Sequence, residues 1–250
     1  MKVIAVKDYA DMSRRASALI AAQVALKPNC VLGLATGSGP VGIYQQLAQW
    51  HKTEHLDFSR VSTVNLDEYF GLDKTSPQSY YYFMREHLFK HINIQPENTH
   101  IPDGENQDQQ AECARYNRLI SSLGGIDLQL LGIGHNGHIA FNEPSEHFEP
   151  KVHCVSLTQD TIEANQRFFD HINQVPKKAY TMGIGNILNA RKIILIASGE
   201  VKADAICKMI AGPVHPGLPA SALQLHNDVT VIADHAALTL LKEQAPHLID

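Results

Sequence analysis

The sequence has no long apolar run, no excess of basic residues and few cysteines. No stretch approaches the roughly twenty apolar residues that a membrane span requires, and the apolar run at the amino terminus is too short for a signal peptide. The formal net charge of −5 argues against a general nucleic-acid binder, which needs a basic face. The 4 cysteines form no Cys-x-x-Cys pair, which favours free thiols. We therefore expect a soluble, cytoplasmic protein that binds neither nucleic acid nor membrane.

Short β-branched apolar runs alternate with longer stretches of helical period along the 250 residues. This alternation is typical of a mostly parallel sheet covered by helices. The predicted strands are Lys2–Val6, Cys30–Leu34, Val61–Leu66, Asp127–Gly132, Lys192–Ala197 and Val229–Ala233. The predicted helices are Met12–Leu26, Pro40–Trp50, Ser79–His91, Asp108–Leu123, Thr158–Phe169 and Val201–Ala211. We expect one α/β domain, an open Rossmann-like sheet with helices on both faces, with a mobile lid around residues 145–180.

The loop Gly132–Pro144 is the most informative segment for function. It follows a predicted strand, and its closely spaced glycines exclude a helix. Such a loop leaves a parallel sheet at the carboxyl edge, where α/β proteins bind ligands. It brings together His138, Asn136 and Glu143. An imidazole can move protons near neutral pH, and the amide and carboxylate could fix its tautomer and orientation.

The same loop raises the alternative of a metal site, because His135 and His138 form a His-x-x-His pair. A third ligand at a typical spacing is not evident. The chain has 14 histidines, so close pairs arise by chance. We therefore predict no metal.

A second glycine-containing turn, Thr36-Gly37-Ser38-Gly39-Pro40, lies between a predicted strand and a predicted helix. Its N–H groups and the hydroxyls of Thr36 and Ser38 could hold an anion at the helix amino terminus. A purely structural turn is about as plausible, because any tight connection needs glycine. The turn fits neither the P-loop nor the dinucleotide-binding motif.

Three further charged residues come from other segments. Asp67 follows the strand Val61–Leu66 directly, so its carboxylate is a candidate base, although a cap for the next segment is the commoner role of such an Asp. Its neighbour Glu68 is taken as structural. Arg167 and Lys202 could grip a phosphate, but either one alone is more often a solvated charge.

These segments together resemble the glucosamine-6-phosphate deaminase family, within a wider group that includes 6-phosphogluconolactonases and ribose-5-phosphate isomerases. The matching stretches cover nearly the whole chain: Leu34–Pro40, Asn65–Leu72, Ser79–Met84, Gly132–Pro144, Asn165–Phe169, Val175–Lys177 and Ser221–His226. The segment Gly137–Pro144 is specific, because lactonases share its Gly-His but not its Asn-Glu-Pro ending.

The resemblance implies conversion of glucosamine 6-phosphate and water to fructose 6-phosphate and ammonia, without metal or organic cofactor. By position, Asp67 is expected to take the C2 proton and return it at C1. His138, supported by Asn136 and Glu143, is expected to open the sugar ring. The phosphate grip is expected to comprise Thr36, Gly37, Ser38, Arg167 and Lys202.

Two departures from the family pattern matter. Some relatives have Asp where this chain has Asn136. An amide carries no charge, so stabilising an imidazolium at His138 would depend mainly on the Glu143 carboxylate. Allosteric relatives carry basic residues after the loop and a longer carboxyl tail, whereas the segment 146–155 largely lacks those cations. We expect an enzyme without that activation, either a monomer or an oligomer.

Three alternative functions share parts of this pattern. A galactosamine-6-phosphate deaminase differs only at the C4 hydroxyl and stays open as an alternative. A 6-phosphogluconolactonase would leave Asp67 and Glu143 without their roles. A sugar-phosphate sensor of a transcription regulator would need a DNA-binding segment ahead of the first strand, for which we expect no room here.

Overall fold

The computed structural model describes residues 1–166, 169, 171 and 174–249. Its strands are β1 (Lys2–Val6), β2 (Val31–Leu34), β3 (Ser62–Asn65), β4 (Asp67–Tyr69), β5 (Thr99–His100), β6 (Leu128–Leu131), β7 (His153–Ser156), β8 (Lys178–Thr181), β9 (Ile193–Ala197) and β10 (Val229–Asp234). Its helices are α1 (Tyr9–Leu26), α2 (Val41–Glu54), α3 (Tyr80–His87), α4 (Gln109–Ser122), α5 (Gln159–Asn165), α6 (Ile184–Leu188), α7 (Ala203–Ala211) and α8 (Thr239–Gln244).

Seven strands form the main sheet in the order β1-β10-β9-β6-β2-β3-β5, and every neighbouring pair is parallel. Successive side chains of a strand point to opposite faces. In β9, Ile193, Leu195 and Ala197 pack with α4, α6, α7 and α8, whereas Ile194 and Ile196 pack with α1, α2 and α3. Both faces are therefore covered by helices, which confirms the predicted fold class.

A second, three-stranded antiparallel sheet, β4-β8-β7, was not predicted. Asp67 opens β4 and pairs with Thr181, so the residue expected to cap a turn belongs to a strand. These strands are short and mix polar with apolar residues, so they show neither an apolar run nor a clear alternation.

Part of the predicted lid belongs to this second sheet. Strand β7 and the first three residues of β8 lie within 145–180, and Ala179 and Tyr180 are fully buried. This part of the predicted lid is therefore anchored in a sheet. The mobility of the lid stays a prediction.

The predicted elements of the main sheet are found with small shifts at their ends. Helix α1 begins earlier than predicted because the Asp8 carboxylate accepts the N–H of Asp11 at 2.9 Å and caps it. Helix α5 covers Gln159–Asn165, and residues 167 and 168 of its predicted extension to Phe169 lie outside the described residues. The cysteines Cys30, Cys113, Cys154 and Cys207 are free thiols, as predicted. Within the described ranges, no helix has the length and apolar character needed to cross a membrane.

Candidate active site

The loops that follow β2, β3, β6 and β9 meet at the carboxyl edge of the main sheet and line a cleft of about 880 Å³. This size is in the range of small-molecule sites. The predicted site residues that line it are Thr36, Gly37, Ser38, Asp67, His138 and Lys202. Arg167, also predicted, lies outside the described residues. The turn at 36–38, the candidate base and the candidate imidazole thus share one cleft.

Asn136 and Glu143 stand around His138. Nδ1 of His138 lies 3.3 Å from Oε1 of Glu143, a contact too poorly aligned for a good hydrogen bond. The Asn136 amide donates to Oε2 of Glu143 at 2.7 Å, and its carbonyl oxygen accepts the backbone N–H of His138 at 3.2 Å. Asn136 therefore holds the carboxylate and the loop backbone rather than the imidazole itself.

Glycine is required at two positions of this loop. A Cβ at Gly134 would lie 2.4 Å from the His138 ring, so only glycine lets the imidazole fold back over its own loop. Gly137 has a φ of +83°, and a Cβ there would lie 2.2 Å from Cδ1 of Leu218. Ala140, with a φ of 52°, also takes the left-handed conformation, which is strained for a residue with a side chain. The glycines thus allow the loop to bring the His138 ring back over Gly134, and the strain is confined to Ala140.

Glu143 is ionised in this setting. Burial raises its pKa, but His138 and the donors Thr161 and Asn136 outweigh burial and bring the pKa to about 2. The hydroxyl of Thr161 donates to Oε1 of Glu143 at 2.5 Å. A fixed negative charge beside His138 can stabilise an imidazolium, the form that appears when the ring has accepted a proton.

Asp67 has the opposite environment. It is 6% exposed, and burial together with the neighbouring Glu68 carboxylate raises its pKa to about 8. Burial also raises the pKa of Glu68, but Glu68 accepts three backbone N–H groups. We infer that Glu68 carries the negative charge of the pair and that Asp67 is protonated when no cationic ligand is bound in the cleft.

Glu68 is structural, as expected, and its contacts place a residue that sequence reasoning missed. Its carboxylate accepts the N–H groups of Tyr80 and Tyr81, each at 2.9 Å, and so fixes the first turn of α3. The Tyr80 ring lines the cleft and stacks on Phe141 at 6.1 Å. Tyr80 therefore connects the first turn of α3 to the central loop inside the cleft.

The turn at 36–38 is held from outside by Tyr9 in α1. The Tyr9 hydroxyl donates to the carbonyl oxygen of Ser38 at 3.1 Å and accepts the N–H of Gly42 at 2.9 Å. Gly37 has a φ of +89°, a conformation that favours glycine. The backbone of the turn at 36–38 is therefore preorganised before a ligand binds, which suits an anion site at the start of α2.

Lys202 and Ser198 line the cleft from the loop after β9. The 3₁₀ turn Glu200–Lys202 precedes α7, and the N–H of Lys202 donates to the carbonyl oxygen of Gly199 at 3.0 Å. Lys202 thus faces the same cleft as Thr36, and a phosphate between them could meet a cation on one side and N–H and hydroxyl donors on the other.

His135 lines the cleft beside His138. Across the described ranges, no three His, Cys, Asp or Glu side chains are grouped so that they could hold a metal ion. Thr161, the other cleft residue that sequence reasoning missed, has no motif of its own and is found only through its contact with Glu143.

Comparison with known proteins places this cleft in a family. The chain matches the family described as glucosamine-6-phosphate isomerases/6-phosphogluconolactonase over residues 7–232. A glucosamine-6-phosphate deaminase of Lachnoclostridium phytofermentans is 60% identical over 232 residues, which cover 93% of this chain and 98% of that protein. Another, from Clostridioides difficile, is 52% identical over 249 residues and covers 100% of both chains.

Solved structures agree with these matches. A structure described as a monomeric glucosamine-6-phosphate deaminase has a TM-score of 0.94 and 48% identity, covering 96% of this chain and 100% of its own. A 6-phosphogluconolactonase from Trypanosoma cruzi, at 20% identity and a TM-score of 0.77 over 98% of this chain and 96% of its own, shares the fold. The resemblance inferred from the motifs is thereby confirmed. The chain belongs to the family of glucosamine-6-phosphate isomerases and 6-phosphogluconolactonases.

Proposed function

We propose that this enzyme converts glucosamine 6-phosphate and water to fructose 6-phosphate and ammonia. The observation that carries the proposal is that two unlike acid–base groups, Asp67 and His138, line one cleft. Asp67 is a buried carboxyl group whose pKa is raised to about 8, while His138 stands beside Glu143, whose pKa is about 2. Relatives 52–60% identical are glucosamine-6-phosphate deaminases.

Ring opening is the first step of the proposed reaction. The imidazole of His138 takes the proton from the C1 hydroxyl and gives one to the ring oxygen, so the C1–O5 bond breaks and an aldehyde forms. Glu143 stabilises the imidazolium between the two transfers. Asn136 and Thr161 hold the Glu143 carboxylate in place through the bonds described above.

Isomerisation and deamination follow. The Asp67 carboxylate takes the C2 proton, the substrate's ammonium group gives up one proton to the C1 oxygen, and an enolamine forms. Asp67 then returns its proton to C1, which leaves an iminium group at C2. Water adds at C2, ammonia leaves, and the ketose remains. The phosphate contributes binding energy that holds C2 at the carboxylate.

The pH dependence of this reaction follows from the pKa of Asp67. In the free enzyme, only the ionised fraction can act as base, so kcat/KM should rise as pH rises towards about 8. The ammonium group of the bound substrate stabilises the carboxylate, so the corresponding limb of the kcat profile should lie at lower pH. Steady-state rates from about pH 4 to about pH 9 test both limbs. An acid limb of kcat/KM near pH 4, the ordinary value for Asp, would contradict the assigned environment.

The phosphate grip is proposed to comprise Thr36, Gly37, Ser38, Arg167 and Lys202. Lys202→Ala should raise KM about 10- to 100-fold, because a charged hydrogen bond to phosphate is lost, and should change kcat less. Lys208→Ala is the matched control: Lys208 lies on α7, is exposed and pairs with Asp204 at 2.8 Å. An unchanged KM in Lys202→Ala would remove Lys202 from the grip.

One parallel assay tests the proposal as a whole. The purified enzyme receives glucosamine 6-phosphate, galactosamine 6-phosphate or 6-phosphogluconolactone, and ammonia, ketose phosphate and acid are followed. Ammonia and fructose 6-phosphate from the first substrate alone support it. Acid release from the lactone without ammonia from either amino sugar would replace it by a lactonase function.

The oligomeric state and location are part of the proposal. The structure with TM-score 0.94 is described as monomeric, and we propose a monomer here too. A cytoplasmic location follows from the substrate, because a charged phosphosugar does not cross a bilayer unaided. Light scattering at the concentration used for the assay tests the monomer.

A further inference from the structure

The turn that leads from β9 to Lys202 is held by a buried carboxylate that takes no part in the reaction described above. Asp234 ends β10, is 6% exposed, and lies opposite Ser198 because Ala233 pairs with Ala197. It accepts the Ser198 hydroxyl at 2.5 Å and the N–H of Ala237 at 2.8 Å. The N–H of Gly199 is shared between both of its oxygens at 3.1 Å.

These bonds use the donors of a turn that would otherwise suit an anion. Gly199 has a φ of +92°, and the turn precedes the amino terminus of α7, a common arrangement for phosphate binding. Here the N–H of Gly199 and the hydroxyl of Ser198 already point at Asp234. On this side of the cleft, a phosphate would therefore be bound by the side chain of Lys202 rather than by the donors of the turn.

Asp234 stays charged in this position. Burial raises its pKa, but the Ser198 hydroxyl and the N–H groups of Ala237 and Gly199 outweigh burial, so the pKa is lowered overall. A charged acceptor makes stronger hydrogen bonds than a neutral one, so the turn is fixed before the substrate binds.

We propose that Asp234 is a positioning residue of the phosphate site: by fixing the Ser198–Gly199 turn and occupying its donors, it sets where Lys202 meets the phosphate. The inference rests on the proposed function, since it assumes a phosphosugar in this cleft. It predicts that Asp234 affects binding of the phosphate group more than the proton transfers at C1 and C2.

The test compares Asp234→Ala with a matched control, Asp127→Ala. Asp127 is also a buried aspartate, bound by Lys27, Arg191 and the N–H of Val31, but at the start of β6, the opposite edge of the sheet. The measurements are KM and kcat for glucosamine 6-phosphate, the melting temperature, and calorimetric Kd values for inorganic phosphate and fructose 6-phosphate.

Asp234→Ala should raise KM and both Kd values about tenfold or more, because a displaced cation loses its alignment with the phosphate, while kcat changes less than about threefold. Asp234→Asn keeps an acceptor oxygen and should recover part of the loss. Asp127→Ala should lower the melting temperature and leave KM and Kd unchanged.

Three outcomes overturn the inference: unchanged or tighter phosphate binding in Asp234→Ala, an equal loss in Asp127→Ala, or a loss of kcat without a change in KM. If Asp234→Ala does not fold, Ser198→Ala and Asp234→Asn take its place, and unchanged Kd values in both are decisive against it. Failure of the proposed function is seen separately, as absence of ammonia release by the unmodified enzyme, because the phosphate Kd needs no turnover.

Discussion

Asp67→Asn is expected to lower kcat by about 10²–10⁴-fold, the usual contribution of a positioned acid–base group, and to leave binding of fructose 6-phosphate, which has no ammonium group, nearly intact. The amide has the shape of the carboxyl group but cannot take the C2 proton. The pKa of Asp67 is raised to about 8, so the free protein holds this group largely protonated at neutral pH. An uncharged amide therefore replaces an uncharged acid, and the cleft keeps its packing. Single-turnover ammonia release and the Kd of fructose 6-phosphate measure the two effects.

The same substitution has a signature in stability. A carboxyl group whose pKa is raised on folding stabilises the folded state below its ordinary pKa, and this stabilisation is lost as pH rises through about 8. Between about pH 4 and about pH 8, the melting temperature of the unmodified enzyme should therefore fall relative to that of Asp67→Asn. Near-normal ammonia release by Asp67→Asn would remove Asp67 as the base. A parallel pH dependence of the two melting temperatures would contradict its buried environment.

Six strands of the main sheet could be predicted because they obey a strong rule, whereas the two-residue edge strand β5 could not. Strands buried on both faces, such as Leu128–Leu131 and Ile193–Ala197, consist wholly or mostly of apolar residues, and helices of clear period separate them. The second sheet could not be predicted this way. Lys178–Thr181 begins with an exposed lysine and Asp67–Tyr69 has three residues, two of them acidic, so neither has a pattern that indicates a strand.

The residues of the candidate site also fall into a group that the sequence could indicate and a group that it could not. Asp67, which follows closely after β3, and His138, in the loop after β6, could be selected because the carboxyl edge of a parallel sheet gathers such positions. Residues that act through hydrogen bonds across the fold could not. Asp234 meets Ser198 over 36 positions of sequence, and Thr161 meets Glu143 over 18. Only the register of the strands and the path of the loops bring these pairs together.

His138→Gln is expected to lower kcat by about 10²–10⁴-fold through loss of ring opening. Glutamine keeps a polar side chain of similar reach but cannot carry a proton between the C1 hydroxyl and the ring oxygen. The remaining turnover then depends on the small fraction of substrate that opens unaided. His147→Gln is the matched control, because His147 forms a pair with Glu149 at 2.8 Å outside the cleft, with most of its side chain exposed.

A deuterium at C2 separates this role from that of Asp67. If ring opening limits His138→Gln, the C–H bond breaks after the slow step, and deuterium should leave the rate unchanged. In Asp67→Glu, whose carboxylate is displaced by one methylene, C–H cleavage becomes slow and deuterium should retard the reaction. A full isotope effect in His138→Gln would place the imidazole in the C2 step instead. An unreduced kcat at neutral pH would make His138 structural, because a group that carries protons at C1 cannot be dispensable while the closed ring is the main form of the substrate.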